Sequence, residues 1–317
     1  MNSIYFKISS LLICFLLLGI SIPSITSEET FISSNSKVNH IFYVGGTGPG
    51  NYTHIQQAVD NASDNDTVHV YNGVYFGPVT IDKPLTVIGE NWENTVIKSD
   101  GEEEMFQIRS NHVTVKNFYF YQNCTLLLGY LTNTKPSFSH CLIEHNMISS
   151  CMIAVFNHSQ QNVITQNIFT DSNPSLGPGL YIVELGNKNS ENHILKNTFS
   201  FNENGIVLGS NLWGKGIVIE KNNFINNTVH AIFGFFSSRS QSTKTLTVQL
   251  KNSLMNPVFK PVLTQSYWKN NYWDTHYGIG PYLIIGMITV TFGSQLINIP
   301  WLMGDWHPAD QPFNLTR

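Results

Sequence analysis

The sequence predicts an all-β protein: a right-handed parallel β-helix solenoid with an N-terminal strand–helix cap and an aromatic C-terminal cap. Three observations lead there. An Asn-centred motif recurs along the chain, as in CLIEHNMIS at 141–149, NVITQNIFT at 162–170, NHILKNTFS at 192–200 and IVIEKNNFI at 217–225. The segments holding it are short, β-branched and bounded by Asn, Gly and Ser, without the ten or more residues of 3.6-residue periodicity that helical repeats need. Charged residues make up only 12% of the 317-residue chain, and helix formers are not in surplus.

The chain opens on Lys7 and an apolar run from Ile8 to Ile22, followed by Ser24 and Ser27. This reads as a signal peptide over 1–27, because a run of about 15 residues is short against the roughly 20 of a spanning helix. An uncleaved N-terminal anchor is the alternative, and the only membrane attachment expected. Ile13 before Cys14 argues against a lipid-attachment box. A polar linker is expected over 28–40.

Residues 41–104 form the expected N-terminal cap and first coils. Ile41–Val44 reads as a strand. Thr53 reads as an N-cap for a short helix whose Ile55, Ala58, Val59 and Ala62 share one face. Strands are expected at Thr67–Tyr71, Val79–Ile81 and Leu85–Ile88, with turns at Asn72-Gly73 and Lys83-Pro84. A solenoid must cover its open end, and a strand–helix block does so. GGTGPG at 45–50 lacks the GK[ST] ending of a phosphate loop.

The repeats occupy 105–274. Asn117, Asn146, Asn167, Asn197, Asn222, Asn252 and Asn271 each precede by two residues a large apolar side chain: Tyr119, Ile148, Phe169, Phe199, Phe224, Leu254 and Trp273. Ile143, Ile164, Ile194 and Ile219 recur three positions before the Asn, and Lys116, His145, Gln166, Lys196, Lys221 and Lys251 immediately before it. Successive Asn positions differ by 29, 21, 30, 25, 30 and 19 residues, so each copy has a fixed core and a variable insertion. One strand per repeat cannot bury its apolar face alone, whereas stacked coils about 4.8 Å apart can. The Asn then sits at a bend and its amide bonds up and down a ladder, while the preceding position forms an outward, Lys-rich stripe. The C-terminal cap, 275–317, is aromatic. Its apolar stretch 282–303 is interrupted by Gly, Asn and Pro and rich in β-branched residues, so strands are expected rather than a spanning helix.

The net charge of −4 and the lack of a basic patch exclude a nucleic-acid partner. Cys124, Cys141 and Cys151 are an odd set, allowing at most one internal disulfide and leaving one thiol. Glycosylation sequons at Asn51, Asn61, Asn65, Asn123, Asn157, Asn226 and Asn314 agree with an exported, secreted or cell-surface protein.

The stretch DTVHVYNGVYFGPVTIDKPLTVIGEN, the Asn-x-apolar repeats and the closing NNYWD…GIGPYLI…IPWLMGDWHPA resemble the secreted right-handed parallel β-helix proteins common in archaea, within the pectate-lyase-like superfamily. The resemblance spans about residues 41–313 and extends to the periplasmic copper-binding β-helix family and the carbohydrate-binding and sugar-hydrolase β-helix group. It implies the fold. For activity it implies a lyase, a hydrolase, a binding protein or a surface protein.

Three functions follow for testing. A glycoside hydrolase needs two carboxyl groups about 5–10 Å apart. The NTD, DD and GHG series of the superfamily's hydrolases is absent, and Glu144, Glu220 and Asp171 are the weak catalytic candidates. Glu144 and Glu220 share a register but lie three coils apart, roughly 14 Å at 4.8 Å per coil. A calcium-dependent lyase needs clustered acids and a base, yet neither Arg109 nor Arg239 is flanked by acids. Copper favours soft ligands, and His140, Cys141, His145, Cys151 and Met152 are the densest such stretch, without HxH, CxxC or MxxM spacing. The preferred reading needs neither: a non-catalytic surface protein that binds a polysaccharide or cell-surface glycan, or builds the surface. Amides bond hydroxyls and aromatic rings stack on sugar faces, which selects Tyr121, Tyr130, Trp213, Lys196 and Lys221 as ligand-binding candidates. Insertions near 121–140, 171–190 and 226–245 are placed to carry specificity. Tyr119 reads by register as core. GDWHPAD, with Asp305, His307 and Asp310, reads as a capping turn.

Overall fold

Short β-branched strands separated by bends stack into three sheets in the computed structural model of the chain. It describes residues 39–99, 106–122, 124–129, 138–156, 159–172, 177–184, 191–211, 217–236, 267–277, 280–292 and 295–315. The apolar N-terminal run, nearly all of the 28–40 linker, Tyr130, Trp213 and Asn252 lie outside these residues. Residues 39–317 make one unit.

Strand β1 (Ile41–Val44) and helix α1 (Ile55–Asn61) come first. The coils then follow as strand triplets. These are β2 (Thr67–Val70), β3 (Gly73–Phe76) and β4 (Val79–Ile81), then β5 (Thr86–Gly89), β6 (Thr95–Lys98) and β7 (Phe106–Ile108). Next come β8 (Thr114–Lys116), β9 (Tyr119–Tyr121) and β10 (Thr125–Leu128), then β11 (Leu142–Glu144), β12 (Met147–Ser149) and β13 (Met152–Phe156). They continue with β14 (Val163–Thr165), β15 (Ile168–Thr170) and β16 (Leu180–Glu184), then β17 (His193–Leu195), β18 (Thr198–Ser200) and β19 (Asn204–Asn211). The last are β20 (Val218–Glu220), β21 (Asn223–Ile225) and β22 (Val229–Phe236), then β23 (Tyr267–Lys269), β24 (Tyr272–Trp273) and β25 (Tyr282–Phe292), with β26 (Gln295–Asp305) closing the chain's strands.

Each triplet gives one strand to each sheet. Sheet one runs β1-β2-β5-β8-β11-β14-β17-β20-β23, sheet two β3-β6-β9-β12-β15-β18-β21-β24, and sheet three β4-β7-β10-β13-β16-β19-β22-β25-β26. The pairings are parallel except that of β25 with β26. This is a right-handed parallel β-helix.

The middle residue of the short strands points inward. In sheet one Val87, Val115, Ile143, Ile164, Ile194 and Ile219 stack in register, all buried. In sheet two the rings of Phe169 and Phe199 stack at 4.6 Å, Phe199 and Phe224 at 5.0 Å, and Phe224 and Trp273 at 4.2 Å. Register puts these rings over one another, so each gains stacking contact beyond its buried area.

The corners are made by residues in the left-handed region. His145, Gln166, Lys196 and Lys221 bend the chain between sheets one and two with φ of 54°, 55°, 54° and 57°. Gln122, Ser150, Asp171, Phe201 and Asn226 do so between sheets two and three. From Asn146 to Asn222 the outward position before the Asn is therefore the corner itself, whereas Lys116 ends β8.

At the N-terminal end α1 buries Ile55, Ala58 and Val59. Thr53 does not cap it. His54 holds that position without a side-chain cap bond, and Thr53 Oγ1 instead lies 3.4 Å from Gln57 Oε1. The helix is closed from its other end, where Lys83 Nζ donates to the carbonyls of Val59, Asp60 and Ala62 at 3.1, 3.2 and 3.0 Å. Such a cation satisfies carbonyls that the last turn leaves unpaired.

Candidate functional site

The outer face of sheet two carries an aromatic grouping beside the 121–140 insertion. Strand β9 holds Phe120 inward and presents Tyr119 and Tyr121 outward, their rings 5.2 Å apart at 52°. Parallel pairing sets Tyr121 between Lys98 and Ser149, and Lys98 beside Phe76. Lys98 Nζ stands 5.3 Å from the Tyr121 ring centroid, a cation–π distance. Ser149 bonds the Tyr119 side chain and lies 3.2 Å from Asp171 Oδ2. Burial, then the Tyr121 and Asp171 charges, raise the Tyr119 phenol above its ordinary pKa, against the Ser149 bond. The row Phe76–Lys98–Tyr121 thus offers ring faces, one cation and a phenol hydroxyl on neighbouring rungs, with Ser149 buried at its end.

Tyr119 departs from the expected core position. The register sets Met147 beside Tyr119, so Asn146 aligns with Phe118 and not with Asn117. Asn117 takes the bend instead, at φ 63°, and Phe118 ends the ladder by donating its N–H to Asn146 Oδ1. Three apolar residues in a row, Phe118, Tyr119 and Phe120, hide this one-residue shift from a spacing rule.

From Asn146 the amides run in series. Asn146 Nδ2 donates to Asn167 Oδ1, Asn167 to Asn197, Asn197 to Asn222, and Asn222 directly to Asn271, each at 3.0–3.1 Å. The series ends on the buried carboxylate Asp305, whose Oδ2 accepts from Asn271 N, Asn271 Nδ2 and Trp273 Nε1. Two shorter series flank it: Asn162 to Asn192 before sheet one, and Asn202 to Asn227 between sheets two and three. Their signal was present as Asn five residues before or after the main series.

The other candidates are dispersed. Lys196 and Lys221 occupy the sheet one–two corner, three and four rungs from Tyr121, and Lys221 pairs with Glu220 at 3.2 Å. Glu144 and Glu220 face outward on sheet one with Thr165 and Leu195 between them, and Glu144 pairs with Lys116 at 3.3 Å. Asp171 lies at a different corner. These three acids do not form a carboxyl pair of either glycosidase geometry.

Nor do the soft ligands assemble. Cys151 is bonded to Cys124 in a disulfide joining adjacent coils. Cys141 is buried, its Sγ 3.3 Å from the Ser110 carbonyl, and burial pushes its thiol up to about 11. His140 stacks on His112 at 4.9 Å before sheet one, while His145 turns the corner at the far end of β11, 3.7 Å from Glu144. Met152 opens β13, in sheet three. Among the described residues no three His, Cys, Asp or Glu side chains converge as a metal would require.

A second buried polar grouping lies near the C-terminal end. His230, 3% exposed, has Nε2 2.9 Å from Asp274 Oδ1 and 3.2 Å from Thr275 Oγ1. Its Nδ1 is 3.1 Å from Asn227 Nδ2. Asn227 Oδ1 is occupied by Asn202 N and Nδ2, which fixes the amide orientation and makes Nδ1 the acceptor. Both ring nitrogens are therefore engaged, and the imidazole is a structural strut.

Residues 106–279, more than half of the chain, match the family described as periplasmic copper-binding protein (NosD). No curated protein matches the chain. Among solved structures, a pectin methylesterase from carrot is similar at 10% identity and TM-score 0.37, over 62% of this chain and 72% of that one. A pectin methylesterase from Aspergillus niger is similar at 12% identity and TM-score 0.31, over 62% of this chain and 76% of that one. The donor set described above does not fit a copper ion. Its one free thiol is buried and protonated, its other cysteine is oxidised, and its histidines stand at opposite ends of a strand.

Proposed function

The chain belongs to the periplasmic copper-binding protein (NosD) family of β-helix proteins, and from that premise we propose an extracytoplasmic protein that binds a polysaccharide or cell-surface glycan without turning it over. The observation that carries this reading is the Tyr119–Tyr121 platform with Lys98 over the Tyr121 ring. Ring faces stack on pyranose faces, Asp171 supplies an acceptor for hydroxyls, and Lys98 supplies a donor for hydroxyls or a uronate carboxylate. The Cys124–Cys151 disulfide agrees with an oxidising compartment outside the cytoplasm. The donor set does not suit copper, and the reading assigns the ion no role.

The test is binding of the purified chain to a panel of neutral and acidic polysaccharides, with product formation recorded alongside. Tyr121→Ala is expected to weaken retention on the preferred polymer at least tenfold while thermal unfolding is unchanged. Lys98→Met should weaken acidic polymers more than neutral ones. Unchanged binding in Tyr121→Ala, or unsaturated or reducing products that survive repurification, would overturn the reading.

A further inference from the structure

The closing hairpin of β25 and β26 carries a two-by-three array of apolar groups on its outer face. Along β25, Leu283, Ile285 and Met287 alternate with inward Ile284 and Gly286. Across β26, Leu302 stands opposite Ile285 and Pro300 opposite Met287. Opposite Leu283 is Gly304, where a Cβ would stand 3.5 Å from Pro281 Cβ, 3.6 Å from the Tyr282 carbonyl oxygen and 3.7 Å from Trp306 Nε1, so the indole borders the array there. Met287, Leu283, Leu302, Ile285 and Trp306 are 47, 54, 56, 69 and 70% exposed, whereas Ile284 and Met303 on the inner face are buried. From Tyr277 to Gly304 the chain has no charged residue and no His.

A solvated sheet face alternates apolar inward with polar outward. Sheet one breaks up its outer face with charge, setting Lys116, Glu144, Glu220 and Lys269 in the same row as Thr165 and Leu195. The hairpin does not, and a contiguous apolar array marks a contact surface where single exposed side chains would not.

We infer that this face rests on the surface of a lipid bilayer. Three features favour lipid over a second copy of the chain. Six groups fall well short of the twenty or so residues, about 800 Å² per partner, that a stable protein interface needs. Among the described residues of 277–304 no charged side chain rims the array to orient a protein partner, and no Lys or Arg seeks anionic headgroups, so the hairpin suits a neutral, apolar contact. Trp306 stands at one end of the array, where an indole with an apolar body and one N–H matches the headgroup level.

Strand β26 ends its sheet among the described residues, leaving one side of its backbone unpaired. Those groups must stay hydrated, so the hairpin dips its side chains without burying its edge. No helix among the described residues is long and apolar enough to cross a membrane, and the contact is a monotopic one. The face belongs to sheet three and is independent of the glycan platform on sheet two.

The experiment uses the full chain and phosphatidylcholine vesicles with brominated acyl chains. The Trp306 signal is taken as the fluorescence difference between the chain and its Trp306→Phe variant, so attachment through another part of the chain does not generate it. That component is expected to be quenched at least twofold, to the same degree when a fifth of the lipid is anionic. The loss of quenching in Ile285→Ser/Leu302→Ser, with unfolding unchanged, would locate the contact. Three results overturn the inference: no quenching of the Trp306 component, quenching only with anionic lipid, or lipid-free dimers that depend on Ile285 and Leu302.

Discussion

His230 shows how one buried ring can tie stability to pH. Burial lowers its pKa below the ordinary value, with Asp274 pulling the other way. Protonation would also set a new N–H against the Asn227 amide hydrogens, which Asn202 prevents from turning away. A His with a depressed folded pKa contributes stability that is complete above the unfolded pKa of about 6.5 and lost as pH falls through the folded value. Stability against denaturant is expected to fall as pH drops from 7.5 towards 5, and His230→Gln to flatten part of that slope. An identical slope in the variant would show that other groups set it. The Asn series makes a parallel point. Asn197 Oδ1 accepts from Asn167 N and Nδ2, and its own amide donates to the Ile164 carbonyl and Asn222 Oδ1. Asn197→Ala leaves buried donors unmatched and is expected to destabilise by about 2–4 kcal/mol in chemical denaturation. Asn117→Ala, outside the series, should cost well under half of that, with loss of the bend as its main effect.

At the scale of elements, α1 is too short to stand alone. It is held by its apolar face and by Lys83 at its last turn. Replacing the ammonium by a thioether of similar length, Lys83→Met, is expected to cost about 1–2 kcal/mol through lost carbonyl partners. Hydrogen exchange should show the loss first at residues 55–62. Equal exchange there in both proteins would assign the helix's stability to packing alone.

For the whole molecule, stability depends on closing two ends. A solenoid's coils contact only their neighbours, so an uncovered end frays. The C-terminal tail covers its end by three contacts: Asp305 on the Asn271 amide, Ala309 in a bridge to Tyr272, and Phe313 paired through its backbone with the Asn223 side chain. Truncation after Gly304 is expected to release amide protection in β23 and β24 while leaving β5 and β8 protected. Uniform loss along the chain would mean that the coils unfold as one unit.

The repeat spacing was enough to determine the solenoid, because a fixed apolar offset from Asn has one packing solution when strands stack in register. It also placed Ile143, Ile164, Ile194 and Ile219 inward, since these period-2 strands of sheet one bury only their middle residue. The sequence did not reveal the shift at Asn117, where three consecutive apolar residues fit two registers equally well. Nor did it show Asp305 as the end of the amide series, the Lys83 contact with α1, or the partner of Cys151. Each joins residues 21 to 34 positions apart through coil stacking, and local spacing carries no information about which coil lies over which. The platform at Tyr119 and Tyr121 belongs to the same class. Whether a ring faces the core or the solvent is decided by register, and register is a property of the neighbouring strands.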